Sequence, residues 1–288
     1  MSLPRFFLES ISEDIEPGAV LSLSSGDSHH ARRVLRLLPG AAVVLCDGRC
    51  RDLVGRLLAD QDPDTGAARV VIDTVVPSPA ERGPYLILWQ GLPKQAKLEE
   101  IITRAVELGV HEIRPLLCRR SVSRPDSRSA ASRLERWRQL AEAAAKQAGR
   151  GLIPEVRALT PLNRALDDYT AAAKAAAEPE RRLGLLPWEG EEAVVLPQPL
   201  GRHRPGDLHR IDVLIGPEGG FDPEEVDRAR AAGFISVSLG PRILRTETAG
   251  PAVLAMLLAW QLAADRPSDP ARNPIAQAAK FLTGGDEP

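Results

Sequence analysis

The residue types with the clearest chemical meaning lie at positions 215–226, IGPEGGFDPEEV, directly after an apolar run. A glycine-rich turn that leads into a helix often binds phosphate, because the free amides of the helix N-terminus attract anions. Here Asp222 and Glu225 form an Asp-x-x-Glu pattern, which predicts a capping box that already uses those amides. Together with Glu224, these two residues would place three carboxylates beside a bound phosphate. The turn therefore predicts a neutral or cationic ligand, although this motif alone slightly favours a structural turn with no ligand.

A second turn, SLGPRILRTETAGPAV at 238–253, also connects an apolar run to a predicted helix. Its segment RILRTET places two arginines, one glutamate and two threonines close together. A third turn of similar type is LLPWEG at 185–190. Because ligands of open α/β sheets bind beyond the carboxyl ends of the strands, the three turns predict a composite pocket.

Two regions of different pattern must position these turns. Residues 1–75 contain short β-rich runs broken by Gly, Pro and Asp, which predicts a small barrel or sandwich. After a proline-rich boundary at 76–84, strands alternate with helices over residues 83–265, which predicts a mostly parallel sheet covered on both faces. Residues 266–288 are rich in Pro and Gly and are expected to form a loose tail.

The charge distribution is uneven although the net charge is only −2. Arg114 to Arg138 contains eight arginines against two acids, and HHARRVLR at 29–36 adds three arginines and two histidines. For either cluster alone, a solvated surface is the simpler interpretation. The two clusters together favour a polyanionic partner.

Membrane insertion and metal binding are not expected from the sequence. The apolar runs are too short to span a bilayer, and MSLPRFFLES lacks the apolar core of a signal peptide. The three cysteines have no metal-like spacing, so we expect reduced thiols and no bound metal. These features predict a cytoplasmic protein.

The motifs LIGPEGGFDPEEV and LGPRILRTETA resemble the ribosomal RNA small subunit methyltransferase E family. The similarity continues through GLPKQAKLEEIITRAVELGVHEIRPLLCRRSV and AAAKQAGRGLIPEV, and RFF and HHARRVLRLLPG match the N-terminal part of the family. The family belongs to the SPOUT, or α/β-knot, class of RNA methyltransferases. The resemblance implies an N-terminal PUA-like β-barrel that helps to bind RNA, and a C-terminal α/β domain containing a trefoil knot.

The resemblance also implies a reaction and a cofactor. The reaction is methylation of N3 of a uridine in 16S rRNA of the small ribosomal subunit, with S-adenosylmethionine as the methyl donor. The sulfonium of this donor is a cation, which agrees with a turn rich in carboxylates. The implied cofactor-binding residues are Leu186, Pro187, Trp188, Gly216, Pro217, Glu218, Gly219, Gly220, Leu239, Gly240, Ile243, Leu244 and Thr246.

The chemistry of uracil suggests roles for the charged residues of the second turn. N3 carries a proton and is a poor nucleophile until that proton leaves, so the site needs a base or cations that stabilise the anion. Glu247 is the nearest candidate base, although helix capping explains it equally well. Arg245 and Arg242 are candidates for stabilising the anion or for holding phosphate. The residues expected to contact RNA are Arg5, Arg32, Arg36, Lys94, Arg120 and Arg124.

Two other functions remain open on the sequence. One is a ribose 2′-O-methyltransferase of the same fold, and the other is a non-catalytic RNA-binding protein that retains the barrel and a degenerate knot. The intact GPEGG and RTET segments argue against the second.

The last predicted helix bears on oligomeric state. In AVLAMLLAWQLAA at 252–264, Gln261 is the only polar side chain, which predicts burial on two sides. A deep core in a monomer is one explanation. Because the related proteins pair through the knotted domain, we expect a homodimer with Leu257, Leu258 and Trp260 at or beside the interface.

Overall fold

A computed structural model of the protein describes residues 3–8, 12, 14–48, 50–78, 80, 81, 83–175 and 181–264. The chain divides into two compact units. Among the described residues, the N-terminal unit comprises those from 3 to 81 and residues 145–153, and the C-terminal unit comprises residues 83–144 and those from 154 to 264. Apart from Ala264, which ends the last helix, the C-terminal end of the chain, including the expected tail at 266–288, lies outside the described residues.

Residues 145–153 belong to the N-terminal unit although they are distant from it in sequence. Arg150 forms a buried ion pair with Glu81, and the Gly151 amide donates to the same carboxylate at 3.0 Å. The carbonyl of Gly151 accepts a hydrogen bond from the Cys50 amide at 3.1 Å. The sequence-based division at residues 75 and 83 did not anticipate this segment, because such long-range pairs leave no local pattern.

The described part of the N-terminal unit contains a five-stranded mixed sheet in the order β1-β3-β4-β5-β2. Its strands are β1 (Arg5–Phe7), β2 (Val20–Ser22), β3 (Ala42–Cys46), β4 (Arg51–Gln61) and β5 (Ala68–Pro77). β1 runs parallel to β3, and the other neighbours are antiparallel. A short helix, α1 (Ser25–His29), continues into a π-helical turn over His30–Val34. The result is a barrel-like sheet around a small apolar core.

The described part of the C-terminal unit contains a seven-stranded sheet in which every pairing is parallel. The order is β12-β10-β11-β6-β7-β8, and β9 also pairs with β7. The strands are β6 (Tyr85–Gly91), β7 (Glu112–Leu117), β8 (Glu155–Val156), β9 (Thr160–Pro161), β10 (Arg182–Pro187), β11 (Arg210–Ile215) and β12 (Phe234–Val237). This sheet and the separate mixed sheet confirm the predicted fold class.

Helices flank the parallel sheet. They are α2 (Lys97–Glu107), α3 (Ser127–Gln147), α4 (Leu162–Ala175), α5 (Pro197–Leu200), α6 (Pro223–Ala231) and α7 (Thr246–Ala264). In α2, the side chains of Leu98, Ile101, Ile102 and Ala105 are buried, as the helical spacing of these residues predicts. None of the described helices is long and apolar enough to cross a membrane.

A buried charge lies in the centre of the parallel sheet. Asp212, in the middle of β11, is fully buried. It accepts a hydrogen bond from the indole Nε1 of Trp89 at 2.7 Å and two from the Arg210 guanidinium, both at 2.7 Å. The Trp89 ring packs edge-on against Tyr169 and Phe234. The carboxylate therefore ties neighbouring strands β6 and β11 together inside an aromatic core.

In the single chain, α7 buries one face and exposes another apolar face. Val253, Leu254 and Leu257 are fully buried, whereas Met256 and Leu262 are 42% and 63% exposed. The expected burial on two sides is therefore not achieved within one chain.

A proline lies inside α7. The helix begins at Thr246, so Pro251 lies beyond its first turn. Since proline has no amide proton, the carbonyl of Glu247 lacks its usual helical donor.

Candidate active site

The three turns predicted to form a pocket do meet in the structure. β12, β10 and β11 are adjacent and parallel, so their carboxyl ends lie at the same edge of the sheet. The turns that follow them enclose two adjoining cavities of about 350 and 450 Å³. The residues shared by both cavities are Pro187, Trp188, Glu189, Ile243, Leu244 and Ala249. Sites for small ligands commonly have volumes of roughly 300–1,000 Å³.

Most of the expected cofactor-binding residues line one of these cavities. The first cavity is also lined by Gly216, Pro217, Glu218, Gly220 and Thr246, and the second by Leu239 and Gly240. Two expected residues lie elsewhere. Leu186 is fully buried in the core of the unit. Gly219 faces Arg120 instead of a cavity, because an added Cβ atom would lie 3.1 Å from Cβ of Arg120 and its carbonyl accepts from the Arg120 guanidinium at 3.1 Å.

The first cavity depends on a close approach between β6 and the turn after β11. A Cβ atom on Gly91, the last residue of β6, would lie 2.6 Å from the backbone nitrogen of Pro217. This distance is too short for any side chain. Gly220 has a φ of +65°, and a Cβ there would lie 2.9 Å from the Glu189 carboxylate. Glycine at both positions lets the backbone itself form the cavity wall.

A chain of hydrogen bonds fixes the floor of the first cavity. The Thr246 hydroxyl donates to the carbonyl of Gly216 at 2.6 Å and accepts from the Gln90 side-chain amide at 2.9 Å. Both Thr246 and Gln90 are buried. The start of α7, the end of β6 and the turn after β11 are therefore held in one arrangement.

The helix end that could have held a phosphate is already occupied by protein groups. Asp222 and Glu225 form the predicted capping box at the start of α6. Glu225 also accepts from the Arg119 amide at 2.8 Å, and the Arg119 guanidinium pairs with Asp222 and Glu224. The prediction that this turn does not bind phosphate is consistent with these contacts.

The charges around the two cavities favour a cationic ligand. Of the residues described as lining them, five are carboxylates and three are cations. The carboxylates are Glu189, Glu191, Glu192, Glu218 and Glu247, and the cations are Lys97, Arg242 and Arg245. A cavity with excess negative charge attracts a positive group and repels a phosphate.

Glu247 lies in the first cavity beside a lysine that the sequence analysis did not select. The Lys97 ammonium lies 3.2 Å from the Glu247 carboxylate and 3.4 Å from that of Glu218. The pKa of Glu247 is lowered by a hydrogen bond from its own amide, by Lys97 and by Arg245. The pKa of Lys97 is raised chiefly by its hydrogen bond to Glu247. Lys97 and Glu247 are therefore both ionised at neutral pH.

Arg242 and Arg245 lie on the exposed loop at the mouth of the cavities. Within the described residues, neither guanidinium forms a hydrogen bond or an ion pair. Between them, Ile243 is 88% exposed although it is apolar. This loop thus presents two free cations and one apolar side chain to solvent.

The residues expected to contact RNA have different environments. The Arg5 guanidinium forms an ion pair at 2.6 Å with the fully buried Asp52, so it neutralises a charge inside the N-terminal unit. Arg120 donates to Gly219, and Arg124 donates to the carbonyl of Arg119 at 3.1 Å. The Lys94 amide donates to Glu218 at 3.0 Å, while its ammonium has no partner among the described residues.

Arg32 lies in the π-helical turn of the N-terminal unit, and Arg36 lies two residues after the end of that turn. Arg36 is exposed and has a φ of 53°. Arg32 lines a shallow pocket of about 500 Å³, and the residues described there include no carboxylate. Its other lining residues are Ser25, Ser28, His29, Arg33, Gln61, Thr65 and Gly66. Guanidinium and hydroxyl groups of this kind suit a phosphate oxygen.

Comparison with known proteins identifies the family. Residues 81–258 match the RNA methyltransferase domain family. The chain is 31% identical to the ribosomal RNA small subunit methyltransferase E of Mycobacterium bovis over 86% of its own length and 88% of the relative. The chain belongs to the ribosomal RNA small subunit methyltransferase E family. Its relative of that name from Bacillus subtilis is 29% identical over 86% of this chain and 93% of the relative.

Solved structures of similar methyltransferases share the fold. The enzyme from Neisseria gonorrhoeae, bound to S-adenosylmethionine, is 29% identical and superposes with a TM-score of 0.70 over 90% of this chain and 98% of its own. A methyltransferase from Legionella pneumophila in complex with the same cofactor is 28% identical, with a TM-score of 0.68 over 90% of this chain and 98% of its own.

Proposed function

We propose that this protein transfers a methyl group from S-adenosylmethionine to N3 of one uridine in 16S rRNA of the small ribosomal subunit. The observation that carries the proposal is the composite cavity, which is built from the motifs that define the family resemblance. Related enzymes of 28–29% identity bind S-adenosylmethionine. A non-catalytic RNA-binding role does not account for a preserved cavity of this kind.

The residues present fit this cofactor. When bound, S-adenosylmethionine supplies an electrophilic methyl group on a positively charged sulfur. The excess of carboxylates around the cavities stabilises that charge. Gly216 and Gly220 allow close backbone contacts, while Trp188 and Leu244 provide apolar walls for the adenosine. Leu239, Gly240 and Ile243 extend the wall of the second cavity.

The charged residues at the mouth of the site suit an RNA substrate. Glu247 is ionised and accepts the proton of N3, which makes the ring nitrogen nucleophilic. Arg242 and Arg245 hold the phosphates beside the acceptor nucleotide, because their guanidiniums are exposed and free of partners within the described residues. Positioning of the nucleotide contributes a large share of the rate.

Methyl transfer from labelled S-adenosylmethionine to small subunits that lack this modification tests the proposal. The expected product is one N3-methyluridine per subunit, identified by mass spectrometry of the nucleosides. A ribose 2′-O-methylated product would instead support the alternative enzyme of the same fold. Binding of RNA without any transfer would support the non-catalytic alternative.

We further infer that the pocket lined by Arg32 helps to bind the RNA backbone. Changing Arg32 and Arg36 to alanine is expected to weaken binding to the small subunit and to reduce the salt dependence of log K by about one to two units. The matched control changes Arg56 and Arg69, whose guanidiniums pair with Asp73 and Asp60 in the same unit.

The control removes the same charge but should leave the salt dependence nearly unchanged. Filter binding at several salt concentrations measures both variants, and calorimetry should give an unaltered cofactor affinity. Equal effects in the two double variants would mean that net charge, rather than this pocket, determines RNA binding.

We also propose a homodimer that covers the exposed apolar face of α7, next to the buried Leu257 and the partly buried Leu258 and Trp260. Light scattering at micromolar concentration should give twice the chain mass of 31.1 kDa. Changing Met256 and Leu262 to glutamate should produce a folded monomer, because both side chains are exposed in the single chain. Ala172→Glu, on the exposed face of α4, is the control. A monomeric wild type with full activity would contradict this proposal.

A further inference from the structure

The first cavity brings together one lysine and two glutamates from three separate elements. Lys97 is the first residue of α2, Glu218 lies in the turn after β11, and Glu247 is the second residue of α7. The Lys97 Nζ atom lies 3.2 Å from Oε1 of Glu247 and 3.4 Å from Oε1 of Glu218. All three side chains line the cavity. Each is partly exposed, so each is accessible to a ligand.

The contacts of these groups define what each can still offer to a substrate. An ammonium has three donors, and two of them face Glu247 and Glu218. Glu218 also accepts from the Lys94 amide at 3.0 Å, so it is anchored to the loop before α2. A carboxylate has about four acceptor positions, and Glu247 uses few of them within the described residues. One donor of Lys97 and several acceptors of Glu247 are therefore free.

The edge of uracil has a complementary pattern. N3–H is a donor, and it lies between two carbonyl oxygens that are acceptors. A carboxylate and an ammonium side by side match the N3–H group and one neighbouring oxygen. When N3 is held opposite the carboxylate, as methyl transfer to N3 requires, cytosine would place its unprotonated N3 against this acceptor and its amino group against the ammonium donor. Enzymes that act on single bases commonly read them by hydrogen bonds to this edge.

We propose that Lys97 and Glu247 together select uracil and activate its N3, with Glu218 as the positioning residue for Lys97. This inference rests on the proposed function. Glu247 takes the N3 proton, and Lys97 donates to the adjacent carbonyl oxygen, which gains negative charge as the N3–H bond breaks. N3 then forms a bond to the methyl carbon. The carbon–sulfur bond breaks, and its electron pair remains on sulfur, which becomes neutral.

Lys97→Met tests the role of the ammonium, since methionine has a similar length and no charge. We expect kcat on small subunits to fall by about 100-fold or more, as for removal of a donor to a developing anion. The cofactor dissociation constant, measured by calorimetry, and KM for the subunit should change by less than about threefold. Lys97→Arg should restore part of kcat. Lys174→Met, on an exposed position of α4, is the control for loss of a lysine.

The pH profile distinguishes this role from a structural one. In the wild type, kcat should reach a plateau above the lowered pKa of Glu247. In Lys97→Met, the residual kcat should continue to rise with pH, because Glu247 alone then forms little of the unstabilised N3 anion and solvent base forms more of it as the pH increases. A variant that is merely misfolded would show a lower plateau of the same shape.

Glu247→Gln provides an independent test if Lys97→Met fails to fold. It keeps the size of the side chain and should lower kcat by about 100-fold, while cofactor binding is retained. Wild-type kcat in either variant, or a loss of cofactor affinity equal to the loss of kcat, would overturn the inference. The proposed function fails separately, if the wild type itself forms no N3-methyluridine.

Discussion

Replacing Asp212 with alanine is expected to lower the free energy of unfolding by about 3–5 kcal/mol. The carboxylate is fully buried and accepts from both Arg210 and Trp89. Its removal takes two hydrogen bonds from Arg210 and takes the acceptor of the indole N–H of the fully buried Trp89. Burial raises the pKa of Asp212, and the hydrogen bonds from Arg210 oppose this effect. Urea denaturation followed by tryptophan fluorescence measures the change.

The matched control for this variant is Asp167→Ala. Asp167 pairs with Arg228 at 2.7 Å, the same distance as in the pair between Asp212 and Arg210. In this control pair, however, both side chains are exposed to solvent. Its loss should cost less than about 1 kcal/mol, because water solvates the separated charges. Asp212→Asn should be intermediate, since it keeps an acceptor for Trp89. Equal losses for Asp212→Ala and Asp167→Ala would show that the buried pair does not tie the strands together.

Gly91→Ala is expected to weaken binding of S-adenosylmethionine by more than about tenfold, equivalent to 1.4 kcal/mol. The added methyl group would lie 2.6 Å from the backbone of Pro217, and backbone atoms cannot rotate away as side-chain ends do. The turn after β11 must therefore move, and the first cavity changes shape with it. Overpacking of this kind also costs roughly 1–3 kcal/mol of stability. Calorimetry with S-adenosylmethionine measures the affinity.

Gly206→Ala is the control, because a Cβ at that position meets no atom within 4 Å. It should change neither the stability nor the cofactor affinity. If Gly91→Ala binds the cofactor as tightly as the wild type while losing stability, the turn at 216–217 does not belong to the cofactor site. Gly219→Val is expected to weaken cofactor binding less than a substitution that fills a cavity directly, since Gly219 faces Arg120 rather than a cavity.

Local patterns were sufficient to predict much of the C-terminal unit. Apolar runs bounded by glycine and proline located β6, β7, β10, β11 and β12, because a strand buried on both faces must be apolar throughout. The Asp-x-x-Glu pattern predicted the capping box of α6, whose bonds are made within four residues.

By itself, the sequence determined the family motifs, the three turns and the exclusion of phosphate from the α6 terminus, because these depend on neighbouring residues. Only the tertiary structure decided which distant groups meet. Lys97 and Glu247 are separated by 150 positions, and they come together because helices α2 and α7 pack against each other. Tertiary packing also turned Gly219 away from the cavities and, within the N-terminal unit, placed Arg5 against the buried Asp52. The sequence around a charged residue looks the same whether that residue lies on a solvated surface or in a binding site. Its role therefore depends on which distant residue becomes its partner when the chain folds.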